Sequence, residues 1–96
     1  MIQLQALNYI LTSKDTSFIT LNNLNTDFFS DYPDEFLFIK NHIDSYGNTP
    51  DLETFVNKFP NFDVITVTET PKYLLEELAL NYRYVDFVEE KFKKEK

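Results

Sequence analysis

The chain has 96 residues, room for one hydrophobic core and not for two. Ten Phe and six Tyr within an apolar fraction of 43% supply enough large side chain to close a small core, while the absence of Cys excludes a disulfide framework and a thiolate metal site. The net charge of −7 is divided between −10 over residues 1–90 and +3 over KFKKEK at 91–96. An acidic body repels phosphate backbones, so direct nucleic-acid binding is not expected. The basic end suits a helix C-terminus, whose dipole favours cations. No apolar run approaches the roughly 20 residues of a membrane span, and MIQLQALNYI lacks the basic start of a signal peptide. The chain therefore reads as cytoplasmic, with no membrane contact.

Leu4, Leu7 and Leu11 fall at i, i+3, i+7, and with Ala6 and Ile10 they predict a first helix over Ile2 to Leu11. Thr12-Ser13-Lys14-Asp15 reads as its end and as the cap of a short second helix. Phe18, Ile19, Leu21 and Leu24 give that helix its apolar side. Asn22, Asn23 and Asn25 then fray it, because Asn competes for backbone hydrogen bonds. Thr26 or Asp27 can cap one turn holding Phe28 and Phe29. Ser30 or Asp31 then caps a central helix with Pro33 in its first turn, where the missing N–H costs nothing. Phe36, Ile39, Ile43 and Tyr46 form its stripe, widened by Leu37 and Phe38, and Gly47 ends it.

Thr49 and Pro50 suit the N-cap and first position of the next helix, which carries Leu52, Phe55, Val56 and Phe59 and stops at Pro60. Val64, Ile65 and Val67 alternate like a strand, but nothing else in the chain has period two. The stretch is expected to be an extended connector. Thr70-Pro71 repeats the cap-plus-proline start. From Pro71 to about Lys94 there is no Gly, Pro or turn cluster, which predicts one helix of roughly two dozen residues, about 35 Å long. Leu75, Leu78, Tyr82, Val85 and Phe92 supply an inward stripe, while Leu74, Tyr84, Phe87 and Val88 lie off it. A helix apolar on two sides needs a second surface. Leu74, Tyr82, Tyr84, Phe87 and Val88 are the candidate self-association or docking residues, Tyr being favoured at interfaces.

No constellation for catalysis stands out. His42, the only histidine, has no Cys or second His at metal-ligand spacing, so zinc is not expected. A triad would need an oxyanion hole, and Gly47 is the only glycine available for one. The grouped carboxylates Asp31, Asp34 and Glu35, Asp51 and Glu53, Glu76 and Glu77, and Glu89 and Glu90 sit at helix starts and on polar faces, where capping and solvation explain them. No GxxxxGK[ST] loop occurs. Neither a cofactor nor a metal is expected, and the chain reads as non-enzymatic.

From Ala6 to Tyr84 the chain resembles the N-terminal domain of DnaB-type replicative DNA helicases, in particular phage-like versions. The matching residues are ALNYIL at 6–11, DFF at 27–29, FLFIKNHIDSYG at 36–47, PDLETF at 50–55 and ETPKYLLEEL at 69–78. Two departures stand beside them. Asp34-Glu35-Phe36 occupies a region where the family commonly has a His, and NFDVITVTETP replaces its glycine turn. The resemblance implies an all-α bundle of five to six helices. Residues 1–70 would form a globular head, and 71–96 a long C-terminal helix serving as the first arm of a helical hairpin. It implies a non-catalytic module of the primosome that pairs subunits and docks primase and helicase loader, with the ATPase motor in a separate domain. The alternative is a small acidic phage-type protein that binds a host replication factor.

Overall fold

The computed structural model describes residues 1–94, with side chains described through residue 82. Among the described residues the fold is all-α, with α1 (Ile2–Ser13), α2 (Ser17–Thr20), a 3-10 turn (Thr26–Phe29), α3 (Pro33–Tyr46), α4 (Leu52–Lys58) and α5 (Pro71–Lys94). No strand forms among them, and residues 60–70 are an irregular connector.

Helix α1 buries Ala6, Leu7, Ile10 and Leu11, with Leu4 only half-buried on the flank. It runs two residues beyond the expected end. Lys14 closes it in a left-handed conformation (φ 60°) and donates its N–H to the Ile10 carbonyl. That geometry is usually supplied by glycine. Helix α2 is a single turn burying Phe18 and Ile19, whereas Leu21, expected on its inner side, is 80% exposed. Asn25 caps the 3-10 turn by accepting the Asp27 N–H at 2.9 Å, a role the sequence reading gave to Thr26 or Asp27.

Pro33 opens α3 as expected, with Tyr32 at the cap position in place of Ser30 or Asp31. Phe36, Ile39 and Ile43 are buried, but Tyr46 at the end of the stripe is 75% exposed. The helix is longer than the core beneath it. Gly47 ends it at φ 73°, donating its N–H to Ile43, and only a residue without Cβ adopts this region at little cost. Helix α4 starts two residues later than the Thr49-Pro50 reading, with Asp51 at its N-cap. Thr49 is instead buried.

The core is largely aromatic. Phe29 stacks on Phe36 with centroids 4.7 Å apart. Phe55, fully buried, meets Phe62 at 4.8 Å and Phe59 at 5.0 Å. Edge and tilted pairings of this kind stabilise by about 0.5–1.5 kcal/mol beyond the burial itself. Helix α5 packs on α1 and on the 3-10 turn. Thr70 caps it, its hydroxyl accepting the Tyr73 N–H at 3.2 Å.

Two buried amides on α1 make long-range polar contacts. Gln3 accepts the Asp31 N–H at 2.8 Å and donates to the Ser30 hydroxyl at 3.2 Å, which fixes the entry to α3. Asn8 accepts the Ile65 N–H and donates to the Asp63 carbonyl, each at 3.0 Å. One side chain thus gives the connector the backbone partners that a neighbouring strand would have supplied.

Candidate functional site

The geometry of α5 decides which of its residues can meet a partner. Leu74 and Leu78 are both fully buried, so the inward face is centred between them. Leu74, expected to face outward, is a core residue, which corrects its assignment to the docking set. The physical reason is the seat of α5 on α1 and the 3-10 turn, which rotates the helix away from the face centred on Leu75. Leu75 is only half-buried. Tyr82 is partly covered, its ring stacked on Phe28 with centroids 4.7 Å apart and planes 21° from parallel. It therefore anchors α5 to the 3-10 turn. The side chains of Tyr84, Phe87 and Val88 lie outside the described residues.

The exposed apolar residues of α5 are others. Leu80 is 58% exposed and Tyr73 43%. With Ile2 and Gln5 of α1, and with Glu77 and Asn81, they line a groove of about 350 Å³. The Tyr73 hydroxyl donates to Glu77 at 3.0 Å, and the hydrogen bond to that carboxylate, joined by its charge, raises the Tyr73 pKa above its ordinary value. Tyr73 and Leu80 lie on neither of the two apolar stripes, so this face is not visible in them. The available signal was the spacing of Tyr73, Glu77, Leu80, Tyr84 and Phe87, which alternates four and three.

A second concavity, of about 250 Å³, is lined by Tyr32, Glu35, Lys58, Phe59, Pro60, Asn61 and Phe62. It lies where α3 begins and α4 ends.

His42 serves the fold. A carbonyl can only accept, so the 2.7 Å contact between its Nδ1 and the Asn48 carbonyl requires a proton on Nδ1. The ring also rests against Tyr46, centroids 4.7 Å apart. This ties the end of α3 to the loop after Gly47. Asp15 accepts hydrogen bonds from the Ser17 and Tyr9 hydroxyls, which hold its carboxyl below the usual carboxylate range. Partial burial and the bond to Asp15 push the Tyr9 hydroxyl up. Among the described residues no three His, Cys, Asp or Glu side chains converge on one point, and no helix is long and apolar enough to cross a membrane.

The class that this geometry defines, among the described residues, is an all-α domain with an exposed concavity on α1 and α5 and another beside α3 and α4. No family model matches the chain, and no curated protein or solved structure matches it.

Proposed function

We propose that the chain is a non-catalytic assembly and partner-docking module, of the kind found at the N-terminus of DnaB-type replicative helicases. In that reading it associates with further copies and offers a surface to primase or helicase loader. The observation that carries the proposal is the second face of α5. Tyr73 and Leu80 stand exposed beside Ile2 while Leu74 and Leu78 hold the helix to the core. In the sequence, Tyr84 and Phe87 continue the four-three spacing of residues 73, 77 and 80. Such spacing is what a helix uses to pack against another helix. The order of helix punctuation along the chain supports the same reading.

Sedimentation equilibrium over a wide concentration range tests it. Reversible association that weakens in Leu80→Glu, and in the pair Tyr84→Ala and Phe87→Ala, is the expected result. A strict monomer, unchanged by any of these, removes self-association. Failure of purified primase and loader to co-elute then removes the helicase assignment.

The second reading, a small acidic protein that binds a basic replication factor, is favoured by one feature. The acidic body of residues 1–90 is concentrated enough to attract such a partner. Co-elution with a basic protein other than primase or loader selects it.

A further inference from the structure

The cleft between the start of α3 and the end of α4 has a composition that points to one kind of ligand. Its walls are rings. The Phe62 N–H donates to the Phe59 carbonyl at 3.1 Å, so a turn through Pro60 and Asn61 brings the two residues to one side of the cleft. The fully buried Phe55 backs them. Tyr32 stands edge-on to Phe62, centroids 6.0 Å apart.

The rim is acidic. Glu35 is part of the lining, and Asp31 and Asp63 adjoin Tyr32 and Phe62 in the chain. Partial burial raises the Tyr32 hydroxyl above its ordinary pKa, and the charges of Asp63, Asp31 and Glu35 add to the rise. The three carboxylates therefore act on the Tyr32 hydroxyl, and Glu35 is the one that lines the cleft. Lys58 puts one cation on the same lining. At about 250 Å³ the space falls below the roughly 300 Å³ at which cofactor-sized pockets begin. It suits the end of one long side chain. Aromatic faces with carboxylates beside them attract a cation through both the ring quadrupole and the charge.

We propose that this cleft receives the cationic end of a single arginine or lysine side chain from a basic segment of a different protein. The occupant is assigned to a different protein because the body that carries the cleft is acidic, −10 over residues 1–90, and draws the basic segment of a partner. The inference extends the docking reading to a named chemistry. Among the described residues no side chain of α5 lines the cleft, so the two surfaces fail or succeed separately.

The test is an NMR titration of the full chain, labelled with nitrogen-15. The ligand is a blocked pentapeptide with one central arginine between glycines, and the control has citrulline in its place. Citrulline keeps the shape and removes the charge. The expected result is saturable shifts at the amides of Phe59, Asn61 and Phe62 with the arginine peptide, and binding weaker by about fivefold or more with citrulline. Glu35→Gln should weaken binding about two- to threefold, and Lys58→Gln should strengthen it by a similar factor. Opposite signs at two surface positions are not produced by a change in folding. Equal response to citrulline overturns the proposal. So do shifts spread over Asp51, Glu53, Glu76 and Glu77 that neither substitution alters. Concentration-dependent shifts of the cleft amides without peptide place a second copy there and overturn the assignment to a different protein.

Discussion

Asn8 is fully buried on α1 and holds the connector through its Asp63 and Ile65 contacts. Replacing it with alanine removes both of these bonds. A third, from its amide to the Leu4 carbonyl at 3.0 Å, stays within the helix, where that carbonyl has a backbone partner one turn on. A net intramolecular hydrogen bond contributes about 1 kcal/mol. The freed groups sit on Asp63, exposed, and Ile65, half-buried, so water recovers part of the desolvation. The void left inside adds a cavity term. The expected loss is about 2–3 kcal/mol, a large part of the roughly 5–14 kcal/mol available to a domain of this size. Urea unfolding measures it as a lower midpoint at constant slope. Hydrogen exchange gives the local readout. The Ile65 amide should be protected in the native chain and exchange freely in Asn8→Ala, while α3 amides keep their relative protection. Asn41, exposed on α3, is the control, with Asn41→Ala expected to stay within about 0.5 kcal/mol. A loss below that figure at Asn8, or an Ile65 amide that already exchanges freely in the native chain, would refute the view that Asn8 replaces a missing strand.

Three further outcomes follow from the same contacts. Asp15, held below its unfolded pKa chiefly by the Ser17 hydroxyl and then by Tyr9, stabilises the fold above the unfolded value near 3.9 and loses that contribution as pH falls through the folded value. The stability gap between the native chain and Asp15→Asn should therefore be constant at neutral pH and close in acid, as followed by urea midpoints at a series of pH values. Lys14 holds φ 60° while its ammonium reaches Asp51 at 3.1 Å and the Thr49 carbonyl at 3.4 Å. Lys14→Gly should melt higher than Lys14→Ala by an amount worth about 1 kcal/mol, since both lose the ion pair and only glycine relieves the backbone. Gly47 has open space where a Cβ would lie, so Gly47→Ala should cost about 1 kcal/mol from its φ of 73° alone, and Gly47→Asn less, by thermal melting.

What the sequence made legible is the punctuation. Pro33, Gly47, Thr70 and Pro71 stand where the structure uses them, because each acts on its own backbone. The apolar stripes of α1 and α3 were readable for the same reason, spacing being a local property. What remained hidden is set by distance. Asn8 and Gln3 look like ordinary polar helix residues until loops 57 and 28 positions away arrive. Leu74 and Leu75 are neighbours of one chemistry, and the seat of α5 on α1 and the 3-10 turn decides which is buried. Thr49 has the residue type of an N-cap but is buried, and Asp51 takes that place. The site suffered the same limit. The Tyr32 cleft joins residues about thirty apart, and nothing in the local pattern of either segment signals the other.

The energetics of α5 set a condition on the assembly reading. Leu80 and Tyr73 keep 58% and 43% of their surface in water. Fully burying a large apolar side chain yields about 1.5–3 kcal/mol, so covering the exposed halves of these two contributes roughly 1.5–3 kcal/mol together. A micromolar complex needs about 8 kcal/mol after the cost of lost rotational and translational freedom. The Tyr73–Leu80 groove alone is therefore too small to hold two copies together. Stable association requires the same spacing to be used onward through Tyr84 and Phe87, and the pair Tyr84→Ala and Phe87→Ala should then lower affinity more than Leu80→Ala does. If Leu80→Ala proves the more damaging, the contact is confined to the groove, and at that size the occupant is a short segment of a partner seated between α1 and α5.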